Sequence, residues 1–159
     1  MKLKRKVRIN TGDLSSIRDL FAKLQRNAAA LEQEVTSDGV FNFVVTGYTM
    51  IEWVKNDPKV PSVAKAGSVV QGLYDDQWLK VCGDLANACK HFILDRRKPV
   101  TKSANSARGW GAVRYGKGGY GVGEESIEVQ LNDGTSFQCL DLVKNVLATW
   151  QSFFKSHGM

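Results

Sequence analysis

Asp84, Asn87 and His91 follow one another at spacings of three and four residues, within a stretch whose apolar residues recur at helical intervals. The three side chains therefore stand on one helix face in successive turns, bordered by Lys80 and Lys90. Such a face can do chemistry. His91, the one internal histidine, can move a proton near neutral pH; Asn87 can orient a phosphate or a ring nitrogen; Asp84 can hold a partner base. Asp84 and His91 lie about two turns apart, too far to hydrogen-bond directly within one helix. The alternative role for the trio is a satisfied polar seam that fixes the register of neighbouring helices.

A second constellation follows that helix. Arg108-Gly109-Trp110-Gly111 and Arg114-Tyr115-Gly116-Lys117-Gly118-Gly119-Tyr120-Gly121 interleave cations, aromatics and glycines. Trp110, Tyr115 and Tyr120 can stack bases while Arg108, Arg114 and Lys117 meet phosphates. The segment is not a Walker loop, because no Gly-Lys-Ser/Thr precedes a helix, and it lacks the strand-to-helix setting of a dinucleotide fingerprint. Its alternative role is a pair of hairpins whose aromatics cover the bundle and whose glycines serve turns and bulges. Trp53 and Trp78 face the expected core and read as packing residues.

Other chemistry is sparse. Ser15 and Ser16 lack a nearby base or a nucleophile-elbow pattern, and Cys89 points away from His91 around the helix. Glu124, Glu125 and Glu128 cluster without aspartate or histidine companions. Cys82 and Cys89 would lie about 10 Å apart along one helix, too far for a disulfide, so they and Cys139 read as buried, reduced thiols. Two histidines and no Cys-x-x-Cys pair supply no ligand set for zinc, and neither a metal nor a cofactor is expected.

Charge is distributed unevenly. Residues 1–8 hold five cations and no acid, and residues 90–117 hold eight cations against Asp95. These segments carry +5 and +7 of an overall +6 on 159 residues, which leaves the remainder at −6. The chain is thus a mildly acidic body bearing two basic attachments, an arrangement that favours an anionic partner over those attachments. The basic N-terminus lacks the apolar run of a secretory signal, and no stretch approaches the length of a membrane span. A cytoplasmic protein with no membrane partner is expected.

The elements that must position these residues can be read from periodicity. Asp13-Leu14-Ser15-Ser16 resembles a helix start, and Leu14, Ile17, Leu20, Phe21, Leu24, Ala28 and Leu31 continue it to near Val35. A second helix runs from Val40 to Lys55, with Phe41, Val44, Val45, Tyr48, Met50, Ile51 and Trp53 on a broad apolar face, and Asn56-Asp57-Pro58 stops it. Residues 59–72 form a connector with a short helix. A third long helix over about 75–95 starts at Asp75 or Asp76 and turns Trp78, Leu79, Cys82, Leu85, Ala86, Cys89, Phe92 and Ile93 inward. Seven glycines between Gly109 and Gly123 exclude helix there and suit short strands, Gly111 to Tyr115 among them. Ser126 to Leu131 and Thr135 to Phe137 form a hairpin through Asn132-Asp133-Gly134. The last helix, about 139–156, buries Leu140, Val143, Leu147, Trp150, Phe153 and Phe154. The fold class is mainly α: a bundle of about four helices with a small antiparallel β insertion, at about 108–137, before the last helix. Residues 1–12 are a basic tail and 13–157 a single domain.

A helical bundle carrying Asn87-Ala88-Cys89-Lys90-His91 on an interior helix resembles the higher-eukaryote and prokaryote nucleotide-binding (HEPN) superfamily. Its ribonuclease members carry an arginine, a polar residue that is often Asn, three variable residues and a histidine. Asn87 and His91 match, and Ala86 stands in the arginine position. The longer run Asp84 to Phe92, the β segment with its Asp-Gly turn and the aromatic last helix also resemble uncharacterised HEPN-like bacterial and phage proteins. The resemblance implies a homodimer, RNA as the substrate class, and defence or mobile-element biology. If the chain is an enzyme, the resemblance makes it a metal-independent ribonuclease. The missing arginine removes the group that would clamp the phosphate and stabilise its developing charge. Lys90, Arg96 or Arg97 can replace it only where the helix end brings one close.

The reading that follows is a HEPN-like protein that binds nucleic acid, RNA before DNA, and either does not cleave it or is a divergent ribonuclease. The nucleic-acid-binding residues would be Lys90, Arg96, Arg97, Arg108, Trp110, Arg114, Tyr115, Lys117 and Tyr120, with His91, Asn87 and Asp84 as the catalytic candidates. The competing reading is a protein-interaction module whose basic and glycine-aromatic segments dock an acidic partner.

Overall fold

In the computed structural model, which describes residues 8–9, 11–90, 98–107 and 126–159, the first helix, α1 (Ile17–Gln33), begins at a capping box. Ser16 Oγ accepts the Asp19 N–H at 3.3 Å, and Asp19 Oδ2 accepts the N–H groups of Ser15 and Ser16 at 3.1 and 2.8 Å. Hydrogen bonds to the charged carboxylate, led by the Ser16 hydroxyl, bring the Asp19 pKa down to about 2. The cap therefore contributes fully above the ordinary carboxylate pKa and is lost as pH falls toward 2. A second carboxylate serves the same helix end: buried Asp57, 40 residues on, accepts the Ile17 N–H at 2.7 Å.

Helix α2 (Ser37–Asn56) starts where Thr36 Oγ1 accepts the Gly39 N–H at 3.0 Å, and it stops before Asp57-Pro58 as expected. The connector holds a 3-10 turn, Ser62–Lys65, and then α3 (Gly67–Asp75). Asp76 breaks the chain between α3 and α4 (Gln77–Lys90): its backbone is extended, and its Oδ1 accepts the N–H groups of Trp78 and Leu79, each at 2.9 Å. The last helix, α5 (Cys139–Ser156), occupies the expected span.

Among the described residues three antiparallel strands in the order β1-β2-β3 precede α5: β1 (Thr101–Ala107), β2 (Ser126–Leu131) and β3 (Ser136–Gln138). The β insertion thus begins at Thr101, earlier than the expected 108. Strand β1 reads Thr-Lys-Ser-Ala-Asn-Ser-Ala, a composition without strand preference, and its conformation comes from pairing with β2, Ser103↔Gln130 through Ala107↔Ser126. The strand expected at Gly111 to Tyr115 lies outside the described residues. The β2–β3 hairpin closes through Asn132-Asp133-Gly134: the Leu131 carbonyl accepts the Gly134 N–H at 3.2 Å, and the Leu131 N–H donates to Thr135 O at 2.8 Å. Gly134 has φ +91° while no described non-glycine residue has positive φ, so the loop is a type I turn followed by a glycine bulge.

The molecule is mainly α, with helices packed together and the small sheet laid against α4 and α5. One continuous apolar cluster joins the helices to Ile127 and Val129 of β2. At its centre the Trp150 indole N–H donates to Gly47 O at 3.1 Å, and a Cβ on Gly47 would meet Val146 at 3.3 Å, so the glycine admits the α2–α5 contact. Trp53 and Trp78 pack at the rim of this core. The expected inward faces need three corrections. Phe41 is 39% exposed and Phe43 fully buried, because Val40, Phe43, Val44, Gly47, Met50, Ile51 and Val54 make the three-and-four repeat that faces α1 and α4. Leu140 is exposed while Leu142 and Val146 face inward, and Cys89 emerges at the surface as α4 runs past the core. Among the described residues no helix is long and apolar enough to cross a membrane.

Candidate functional site

Asp84 is 2% exposed on α4, and its Oδ2 accepts the backbone N–H groups of Val100 and Thr101 at 2.8 and 2.9 Å. The carboxylate therefore pins the chain as it enters β1. Asn132 completes the fastening from the hairpin turn, donating its backbone N–H to Val100 O at 2.9 Å and its side-chain amide to Pro99 O at 2.8 Å. The segment 99–101 is held on both sides by polar groups from α4 and the β2–β3 turn. This is a polar seam, but one that joins a helix to a strand.

One turn further on, Asn87 is half-buried and Lys90 is exposed at the end of α4. His91, Arg96 and Arg97 lie outside the described residues, as do Arg108, Trp110, Arg114, Tyr115, Lys117 and Tyr120. The structure thus positions Asp84, Asn87 and Lys90 along one helix and gives Asp84 a backbone-anchoring role. Lys98 and Lys102, part of the basic segment but not singled out by motif, are exposed on either side of the pinned Val100–Thr101 pair. Neither forms an ion pair with another described residue.

The thiols differ in their surroundings. Burial pushes Cys139 up to about 11 and raises Cys82 further, whereas Cys89 is at the surface. Among the described residues no three His, Cys, Asp or Glu side chains converge to hold a metal ion.

Two polar groupings had no motif to announce them. Between α1 and α2, Lys23 Nζ donates to Thr46 Oγ1 at 2.6 Å, Asn27 donates to the same oxygen at 3.3 Å, and the Thr46 hydroxyl donates to Asn42 O at 2.7 Å. Burial, with help from Arg26, lowers the Lys23 pKa. On the far half of α2, Glu52 Oε1 accepts Lys55 Nζ at 2.7 Å and the Tyr74 hydroxyl at 2.9 Å. The Glu52–Lys55 spacing of three is visible in sequence, but the partnership of Tyr74, 22 residues on, is tertiary. No family model, curated protein or solved structure matches the chain.

Proposed function

We propose that the protein binds nucleic acid, RNA in the first instance, through the basic segment that follows α4, and that it acts as a binding protein of HEPN-like architecture and not as an efficient ribonuclease. The observation that supports this most is the anchored strap: Asp84 fixes Val100 and Thr101, and exposed Lys98 and Lys102 flank them. A fixed backbone presents cations to a phosphate chain at lower ordering cost than a free loop. The segment 108–125, with Arg108, Arg114, Lys117 and three aromatics, lies in the chain between Ala107 and Ser126, which pair across β1 and β2. That segment has the cation-aromatic composition suited to single strands.

Two features weigh against efficient cleavage. Ala86 occupies the position where the resemblance calls for arginine, and Asp84 is committed to two backbone donors. Binding of a labelled single-stranded RNA across a salt series tests the reading. Affinity should fall linearly on a log–log plot, and Lys98→Ala, Lys102→Ala or Arg114→Ala should each make the slope shallower by about 0.7. Absence of binding to any RNA or DNA at low salt overturns it. Cleavage that disappears in His91→Ala would instead make the protein a divergent ribonuclease.

A further inference from the structure

The chain leading into α1 and the last turn of α2 enclose a cleft of about 650 Å3, within the range of small-ligand sites. Ile9, Trp53 and Pro58 make it mostly apolar, and its charged groups are Arg8, Glu52, Lys55 and Asp57, the last with its carboxylate taken up by the Ile17 and Lys59 N–H groups. Arg8 is the last of the five cations in residues 1–8. Its guanidinium donates to the Ser15 carbonyl, which places it over the start of α1 and uses one of its five N–H groups.

Glu52 is held by Lys55 and Tyr74, and Lys55 Nζ lies 5.8 Å from the centroid of the Tyr74 ring. Both donors reach Oε1, and among the described residues no donor reaches Oε2. The Lys55 hydrogen bond, and after it that of Tyr74, hold the Glu52 carboxyl below its ordinary pKa against the opposing effect of burial. The cleft thus joins an aromatic wall, an ionised acceptor with one oxygen uncommitted, and a guanidinium at the rim. A planar ring bearing an exocyclic amine, with an anion next to it, satisfies all three.

We propose that this cleft receives one unpaired nucleotide of a single-stranded RNA: the base stacks on Trp53, its exocyclic amine donates to Glu52 Oε2, and the adjoining phosphate meets Arg8. The proposal rests on the nucleic-acid reading above and adds to it a place where base identity is read. Adenine, cytosine and guanine carry an exocyclic amine and uracil does not, so the cleft prefers those three over uracil. Stacking on Trp53 supplies affinity without regard to base.

The test is a fluorescence titration of the full chain at low salt with 12-mers of A, C and U and with AMP. Binding of the A and C strands should quench tryptophan emission and exceed that of the U strand roughly three- to tenfold. Trp53→Phe, a small change at a position packed against the core, should weaken every strand and, in a Trp110→Phe background, remove most of the remaining quench. Glu52→Gln should bring the A, C and U strands to within about twofold of one another. Equal affinity for all three strands, unaltered by Trp53→Phe or Glu52→Gln, overturns the cleft while leaving nucleic-acid binding in place. Loss of binding to every strand in the parent protein overturns both. AMP binding as tightly as the A strand would assign the cleft to a free nucleotide and overturn its role in reading a strand.

Discussion

A carboxylate on a helix face beside an asparagine invites a catalytic role, and Asp84 shows how tertiary partners decide between roles. Two backbone N–H groups converge on one of its oxygens, and a side chain without an acceptor there leaves both unsatisfied next to a buried surface. Asp84→Ala should therefore destabilise the protein by about 2–4 kcal/mol, whereas Asp84→Asn, which keeps an oxygen in place, should cost about 1 kcal/mol. Urea unfolding measures both. RNA affinity should fall along with stability in the alanine variant, because Lys98 and Lys102 ride on the strap that Asp84 holds. A chemical role makes the opposite prediction, with activity lost in Asp84→Asn and stability intact.

At the scale of elements, the same substitution should act in opposite directions according to backbone geometry. Gly134 sits in the hairpin turn at φ +91°, where a side chain is strained, so Gly134→Ala should cost about 1–2 kcal/mol. Gly72 lies inside α3 with ordinary helical backbone, and a Cβ there would meet nothing within 4 Å, so Gly72→Ala should stabilise by about 0.5–1 kcal/mol. Thermal unfolding should show melting temperatures displaced to opposite sides of the parent. These cases mark what periodicity and turn chemistry make legible. The long helices, the stop at Asp57-Pro58, the helix start at Asp76 and the Asp-Gly hairpin follow from local signals that the tertiary structure reinforces. Strand β1 does not, because Thr-Lys-Ser-Ala-Asn-Ser-Ala has no alternation and takes its register from β2 and its entry point from Asp84. Periodicity alone puts Phe41 on the inward face of α2, where the structure has Phe43, for a related reason. Apolar residues surround much of that helix, and only contact with α1 and α4 selects the Phe43 face. Of the candidate site, the basic segment and the α4 polar face were visible as patterns. The Glu52–Lys55–Tyr74 grouping and the cleft beside it were not, since they require a helix-to-helix approach that no local spacing encodes.

Across the whole molecule, an acidic body with two basic attachments raises the question of whether an anionic partner responds to net charge or to particular contacts. The sheet offers a way to separate the two. Ala107 and Ser126 face each other as the last described pair of the β1–β2 ladder, so a two-residue Asn-Gly turn can replace residues 108–125. Among the described residues the buried apolar core lies within residues 17–86 and 127–154, all of which the replacement retains. Thermal stability should be unchanged or slightly raised, because closing a shorter loop costs less entropy. The deleted segment contains three cations and two glutamates, so the overall charge changes only from +6 to +5. A partner held by the general field would scarcely notice. A strand held by Trp110, Tyr115 and Tyr120 together with Arg108, Arg114 and Lys117 should lose at least about tenfold in affinity, with a shallower salt dependence. If the shortened protein melts like the parent and binds single-stranded RNA as tightly, the contacts lie elsewhere, on the strap at Lys98 and Lys102 or at the α2 cleft. The salt slope of the shortened protein would then count the phosphates those surfaces hold.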